Sequence, residues 1–242
     1  MKFNIFTSAC FFLLSQIVFA SALVKINNKA NTVFVIARMV YSGSALNDRI
    51  ARETTNEINR MWNEFPTSVV INNRSYKVVF KIDYVIAGLK PFKNPESCAY
   101  NFIQILNKTN PNDRSFYNNI GSNKGTFFTS DNLGFSTTTA HEFGHGLGLD
   151  HNSKNQTAAE IPGIMFARGT FVKPEFQWNP QALPGEPGST INPSFRKVRP
   201  IDIETILFPS FEPRTLACIG EGLPLPIGKN HHHRSLTDVE LD

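Results

Sequence analysis

Histidine is scarce in this chain. There are six in 242 residues, and His231–His233 account for three of them near the C-terminus. Every other histidine lies between positions 141 and 151, so any imidazole chemistry is confined to one short segment. A strong charge of either sign is also missing. The formal net charge is +4 and the basic residues are scattered, which argues against nucleic acid as a partner. No apolar run after the N-terminal one is long enough to cross a bilayer. The first run, Phe11 to Phe19, follows Lys2 and is followed by the small residues Ala20-Ser21-Ala22, the layout of a cleaved secretory leader over residues 1–22. Cys10 precedes that run rather than following it, which argues against a lipid-anchored reading. The expectation is a protein secreted to the extracellular space or a periplasm, not inserted in membrane, and monomeric.

Two cysteines, Cys98 and Cys218, remain beyond the leader. In an oxidising compartment they are a candidate disulfide, the alternative being two buried free thiols. Residues 23–227 suit one domain with a sizeable core, and residues 228–242 read as a polar tail in which His231–His233 are solvated. Strands are expected over 32–41, in a hairpin of 67–72 with 76–86, over 101–106 and over 125–129, from alternating or β-branched runs. A helix capped by Ser44 is expected to run to about Phe65, carrying Leu46, Ile50, Ile58, Met61, Trp62 and Phe65 on a core-facing stripe. A second helix starts near Ser136, and a third covers Ile201–Leu207. The loop from Asn107 to Gly125 could offer oxygen ligands to Ca²⁺, but its carboxylates are few and a plain loop is favoured. Asn73, Asn107 and Asn155 occupy N-x-S/T sequons.

The chemistry sits in residues 140–152, AHEFGHGLGLDHN. His141 and His145 are four apart, one turn above each other on a helix face, where both can reach one Zn²⁺. His151 lies six residues beyond His145, too far along a straight helix to join them, so the chain must leave the helix and turn. Gly148 stands where that turn is needed. Three neutral imidazoles leave a tetrahedral position open to water, the pattern of a catalytic zinc. Glu142, beside the first ligand, is then placed to take that water's proton as general base.

His141, Glu142, His145, Gly148 and His151 together spell H-E-x-x-H-x-x-G-x-x-H, and on these residues the chain resembles the metzincin zinc metalloproteases. The resemblance implies an α+β fold of the zincin type: a twisted mixed five-stranded sheet on an N-terminal helix and the active-site helix, with a C-terminal helix after a methionine turn. Ile161-Pro162-Gly163-Ile164-Met165 is the counterpart of that turn, with Met165 beneath the metal. The wording HEFGHGLGLDH and the late segment VRPIDIETIL, with Asp202, are most similar to the matrixin branch. Phe166 stands where astacins and serralysins carry a tyrosine ligand. No histidine is left for the structural zinc that matrixins usually hold, and no cysteine-switch segment is evident, so the enzyme is expected to emerge without a latency segment. In the family, the stretch 166–197 walls a substrate pocket, for which Phe171, Phe176 and Trp178 are candidates, the equal alternative being that they pack the loop down, and Gly125–Thr129 is the candidate substrate-binding edge strand. The implied function is a secreted zinc-dependent endopeptidase acting on protein or peptide substrates. The alternatives are a zinc-binding adhesin or effector module without proteolysis, and a small-molecule metal hydrolase.

Overall fold

The computed structural model describes residues 21–88, 98–151, 161–207 and 216–220. The tail with His231–His233, the Asn155 sequon and residues 1–20 lie outside them. The architecture is α+β: a mixed sheet with helices packed on it. Among the described residues it holds three strands more than the expected five. In chain order they are β1 (Ala22–Asn27), β2 (Thr32–Ser42), β3 (Ser68–Ile71), β4 (Arg74–Ile86), β5 (Tyr100–Leu106), β6 (Phe116–Tyr117), β7 (Lys124–Phe128) and β8 (Leu216–Ile219). The additional ones are β1, β6 and β8. β6 and β8 are only two and four residues long, and β8 takes its partner, β1, from far along the chain, whereas β1 and β6 pair with the strands that follow them, β2 and β7.

The central strand is β2. One edge pairs in parallel with β4 along Thr32–Tyr41. The other edge is shared, antiparallel with β1 over Thr32–Ile36 and parallel with β5 over Arg38–Ser42. Beyond β5 come β7, parallel, and β6, antiparallel to β7. Alternation explains how β2 serves two environments. Val33, Val35, Ala37, Met39 and Tyr41 join the main core cluster, while Arg38 forms an ion pair with Asp83 of β4.

Helix α1 (Asp48–Asn63) starts later than expected. Its cap is Asn47, whose Oδ1 accepts the Ile50 N–H at 2.9 Å, rather than Ser44. Ala51, Ile58, Met61 and Trp62 enter the core cluster. The same helix also serves polar groups of the sheet. Asn59 bonds both backbone groups of Ile82, and Asn63 both of Phe80. Four helical residues rise about 6 Å and two strand residues about 6.6 Å, so the pairs match in step. They satisfy β4 backbone beyond its register with β3, which ends at Ser68↔Lys77.

Helix α2 (Thr138–Gly146) packs against α1, and α3 (Pro200–Leu207) adds Ile203, Ile206 and Leu207 to the core. No helix among the described residues is long and apolar enough to cross a membrane.

β1 begins inside the stretch read as leader. Ser21 and Ala22 are fully buried. Ser21 N–H bonds the Ile219 carbonyl at 2.8 Å, its hydroxyl donates to the Ser122 carbonyl, and Asn101 Nδ2 donates to the Ser21 carbonyl at 2.7 Å. A leader ending at Ala22 would remove these bonds from the sheet.

Cys98 and Cys218 are bonded to one another, 120 residues apart in sequence. The bond ties β8, and through it β1, to the start of β5. Reduction, or serine at both positions, is expected to lower unfolding free energy by roughly 2–5 kcal/mol, read as a shift of the urea midpoint with and without reductant.

Candidate metal centre

Helix α2 is nine residues long, too short to persist on its own in water. Thr137, at its N-cap position, is left-handed at φ 61° and makes no side-chain cap bond; its hydroxyl donates instead to the Pro193 carbonyl. Ser136, expected to cap, is engaged elsewhere. Its hydroxyl donates to the Asp131 carbonyl, lies 2.8 Å from Thr138 Oγ1 and accepts Thr138 N–H only at 3.4 Å. The free N–H groups of Thr139 and Ala140 are taken by Glu57 Oε1 of α1, at 2.9 and 3.3 Å. Trp62 Nε1 donates to the Ala140 carbonyl at 3.1 Å, and its ring meets Phe143 edge-on.

The helix ends in a Schellman turn. Gly148 N–H bonds the His145 carbonyl and Leu149 N–H the Gly144 carbonyl, both at 3.0 Å, with Gly148 at φ 99°. A side chain there would be strained by that backbone angle. The turn returns the chain so that His151 faces the helix. Gly144 answers a different need. A Cβ on it would collide with Met165 Sδ, so its absence lets the buried Met165 lie directly under α2.

The turn thus brings His141, His145 and His151 together. His151 Nε2 is 3.2 Å from His141 Nε2 and 3.3 Å from His145 Nε2, and one ligand nitrogen from each ring lies within 4.8 Å of the others. Bonds of about 2.05 Å to a tetrahedral ion place ligand nitrogens about 3.3 Å apart, so the trio fits zinc. The opposite ring nitrogens support the same reading. His141 Nδ1 meets the Ile164 carbonyl at 2.6 Å and His145 Nδ1 the Leu149 carbonyl at 2.8 Å. A carbonyl only accepts, so in both rings the proton sits on Nδ1 and Nε2 presents its lone pair. Among the described residues no other group of three or more His, Cys, Asp or Glu side chains is placed to hold an ion.

Burial depresses the pKa of all three histidines, most strongly His141, which favours the neutral form that binds metal. Burial pushes the Glu142 carboxyl up to about 8, against the opposing charges of Arg196 and Arg168. Arg196 itself is buried, and its Nε and Nη2 have no hydrogen-bond partner among the described residues; burial lowers its pKa to about 10. Arg168 binds Asp131 and Thr138 Oγ1 at the base of α2.

Several contributors to this site were not visible in the sequence. Glu57, Arg196 and the Ile164 carbonyl act across 23 residues or more, and none belongs to the zinc motif. Ile164 came nearest to recognition, as part of the expected methionine turn. Another expectation needs correcting. Gly125–Thr129 is not an edge strand, because β7 is flanked by β5 and β6; the outer strand is β6. Phe171 and Trp178 are more than half exposed, and half-buried Phe176 meets Phe195 edge-on at 5.8 Å. The ladder bridges Phe171↔Thr190 and Gln177↔Ile191 hold that loop to itself.

No family model and no curated protein matches the sequence. Among solved structures the chain is similar to High choriolytic enzyme 1, a hatching enzyme zinc-protease from Oryzias latipes (medaka fish). The TM-score is 0.36 and the identity 15%, over 75% of this chain and 90% of that chain. A likeness that slight carries no weight for fold or function, which rest on the chain's own geometry.

The Glu142 shift has a testable sign. Its pKa in the fold lies above the usual 4.5, so ionising it costs stability as pH rises from 4.5 through about 8, and the cost is constant beyond. Glutamine does not ionise. Metal-free Glu142→Gln protein is therefore expected to melt above the metal-free wild type at pH 9 and to converge with it near pH 4, as followed by circular dichroism. Equal melting temperatures at pH 9 would contradict the buried-carboxyl assignment.

Proposed function

We propose that this chain is a secreted zinc endopeptidase of the metzincin type, closer to the matrixins than to the astacins, cutting peptide bonds with water. The observation that carries the reading is the convergence of three imidazoles, with His151 Nε2 3.2 and 3.3 Å from the Nε2 atoms of His141 and His145, whose Nδ1 positions are bonded to main-chain carbonyls. His141, His145 and His151 would hold the ion, and Phe166 in place of a tyrosine leaves the ligand set at three imidazoles. Zinc in that position supplies a Lewis acid that polarises a peptide carbonyl and acidifies water.

The chain's own residues do the rest. Glu142 adjoins His141 and takes the attacking water's proton on its carboxylate, then returns it to the departing amine nitrogen. Arg196 and Arg168 favour its ionised form and oppose the effect of burial. Extended substrate is expected to lie along β6, the outer strand of the sheet on this side, through main-chain pairing. The leader is expected to end at Ala20, with Val18 and Ala20 as the small residues before the cut, because Ser21 and Ala22 are buried in the sheet. The catalytic domain then runs from Ser21 to about residue 227.

Purified protein should bind one zinc per chain and degrade casein, and a chelator should abolish the cleavage. Glu142→Ala should retain zinc while cleavage falls by at least about 10²-fold. Zinc binding with no cleavage of any protein substrate would favour the non-proteolytic module instead. Intact-mass analysis of secreted protein should give Ser21 as the first residue; a mass beginning at Leu23 would refute the revised boundary.

A further inference from the structure

We propose that Glu57 is a positioning residue of the metal site: its carboxylate sets the rotation and axial placement of α2, and hence where His141 and His145 aim. This rests on the zinc reading above and adds to it a residue 84 positions before the first ligand.

The argument starts from what α2 lacks. In most helices a side chain at the N-cap accepts the N–H of the second or third helical residue. Here those residues are Thr139 and Ala140, and the N-cap residue, Thr137, has turned its hydroxyl away to Pro193. Glu57 Oε1 accepts both N–H groups from the side, out of the middle of another helix. Ala140 is directly followed by His141, and His145 is one turn further on. A displacement of the helix start is therefore passed to both imidazoles, whereas metal–nitrogen distances tolerate only about 0.2 Å.

The rest of the contact is apolar or less directional. Trp62 binds the Ala140 carbonyl and meets the Phe143 ring, and Met165 fills the space beneath Gly144. These hold α2 down, but among the described residues Glu57 is the side chain that accepts the Thr139 and Ala140 N–H groups, Ser136 reaching only that of Thr138 at 3.4 Å. Glu57 is buried, and its Oε2 has no hydrogen-bond partner among the described residues. No cation forms a salt bridge with it among the described residues that would explain burying a carboxylate there. The two N–H groups are what the carboxylate serves.

The test pairs two variants of similar volume in the full chain. Glu57→Gln keeps a side-chain oxygen able to accept both N–H groups, whereas Glu57→Met fills the space without an acceptor. The zinc dissociation constant is measured by competition with a chromophoric chelator, and the visible spectrum of the cobalt-substituted protein reports ligand geometry. Amide exchange at Thr139 and Ala140 is followed by NMR in metal-free protein. Glu57→Met is expected to weaken zinc binding roughly 10–100-fold, to alter the cobalt spectrum and to lose protection at both amides, while Glu57→Gln stays close to wild type in all three. If the two variants behave alike, whether both intact or both impaired, the positioning role is overturned. If wild-type protein binds no zinc, the functional reading fails by itself. The amide exchange then still decides whether Glu57 anchors the helix, and equal protection in the two variants rejects it.

Discussion

Everything at this site depends on holding still a helix that cannot hold itself. Nine residues do not form a stable isolated helix, and α2 begins with a left-handed threonine and no cap of its own. It is fixed at three places by different physics. Glu57 and Trp62 of α1 bind its first turn by hydrogen bonds, Met165 fills the hollow left by Gly144, and the Schellman turn at Gly148 closes its end. The histidines inherit their directions from these restraints, and main-chain carbonyls of Ile164 and Leu149 set the rings of His141 and His145.

The sheet's unusual edge sharing serves the same end. Because β1 and β5 divide one side of β2, a fork opens between them, and polar groups fill it. Asn101 bonds Ser21 there and accepts from the Tyr117 hydroxyl, and Ser21 reaches Ser122. Tyr117 and Ser21 also lie against Gly146, the last residue of α2, where a Cβ would stand within 3.2 Å of both. The strand bearing Cys218 leads to Gly220, whose carbonyl lies 3.7 Å from where a Gly148 side chain would begin. The disulfide therefore anchors a segment that borders the turn between the second and third histidines.

Departures from expectation share a cause. Strands β2, β4, β5 and β7 and helix α1 were legible because their alternation or helical spacing extends over enough residues to stand out from composition. β6 and β8 were not, since segments of two and four residues show too little alternation and β8 takes its partner, β1, from far along the chain; β1 was missed although it pairs with the next strand, β2. The cap of α1 was misassigned because Ser44 and Asn47 have similar cap chemistry, and only the path of the chain decides which one meets the free N–H groups. β7 was read as an edge because nothing in its own residues indicates whether β6 folds over it. Ser21 and Ala22 were read as a leader end because small residues suit both a protease site and a tightly buried strand start.

From its residues alone, the chain determined the identity and order of the metal-type side chains, the turn that Gly148 must make, and the face of α1 that enters the core. These follow from local geometry: helical spacing, the tolerance of glycine for positive φ, and apolar periodicity. Only the tertiary structure decided that a glutamate from α1 would serve the bare start of α2, that carbonyls of Ile164 and Leu149 would direct two ring protons to Nδ1, and that an arginine with two nitrogens unpartnered among the described residues would be buried near Glu142. Each is a contact between atoms with no fixed separation along the chain, so no pattern in the chain specifies it before the sheet and helices have assembled.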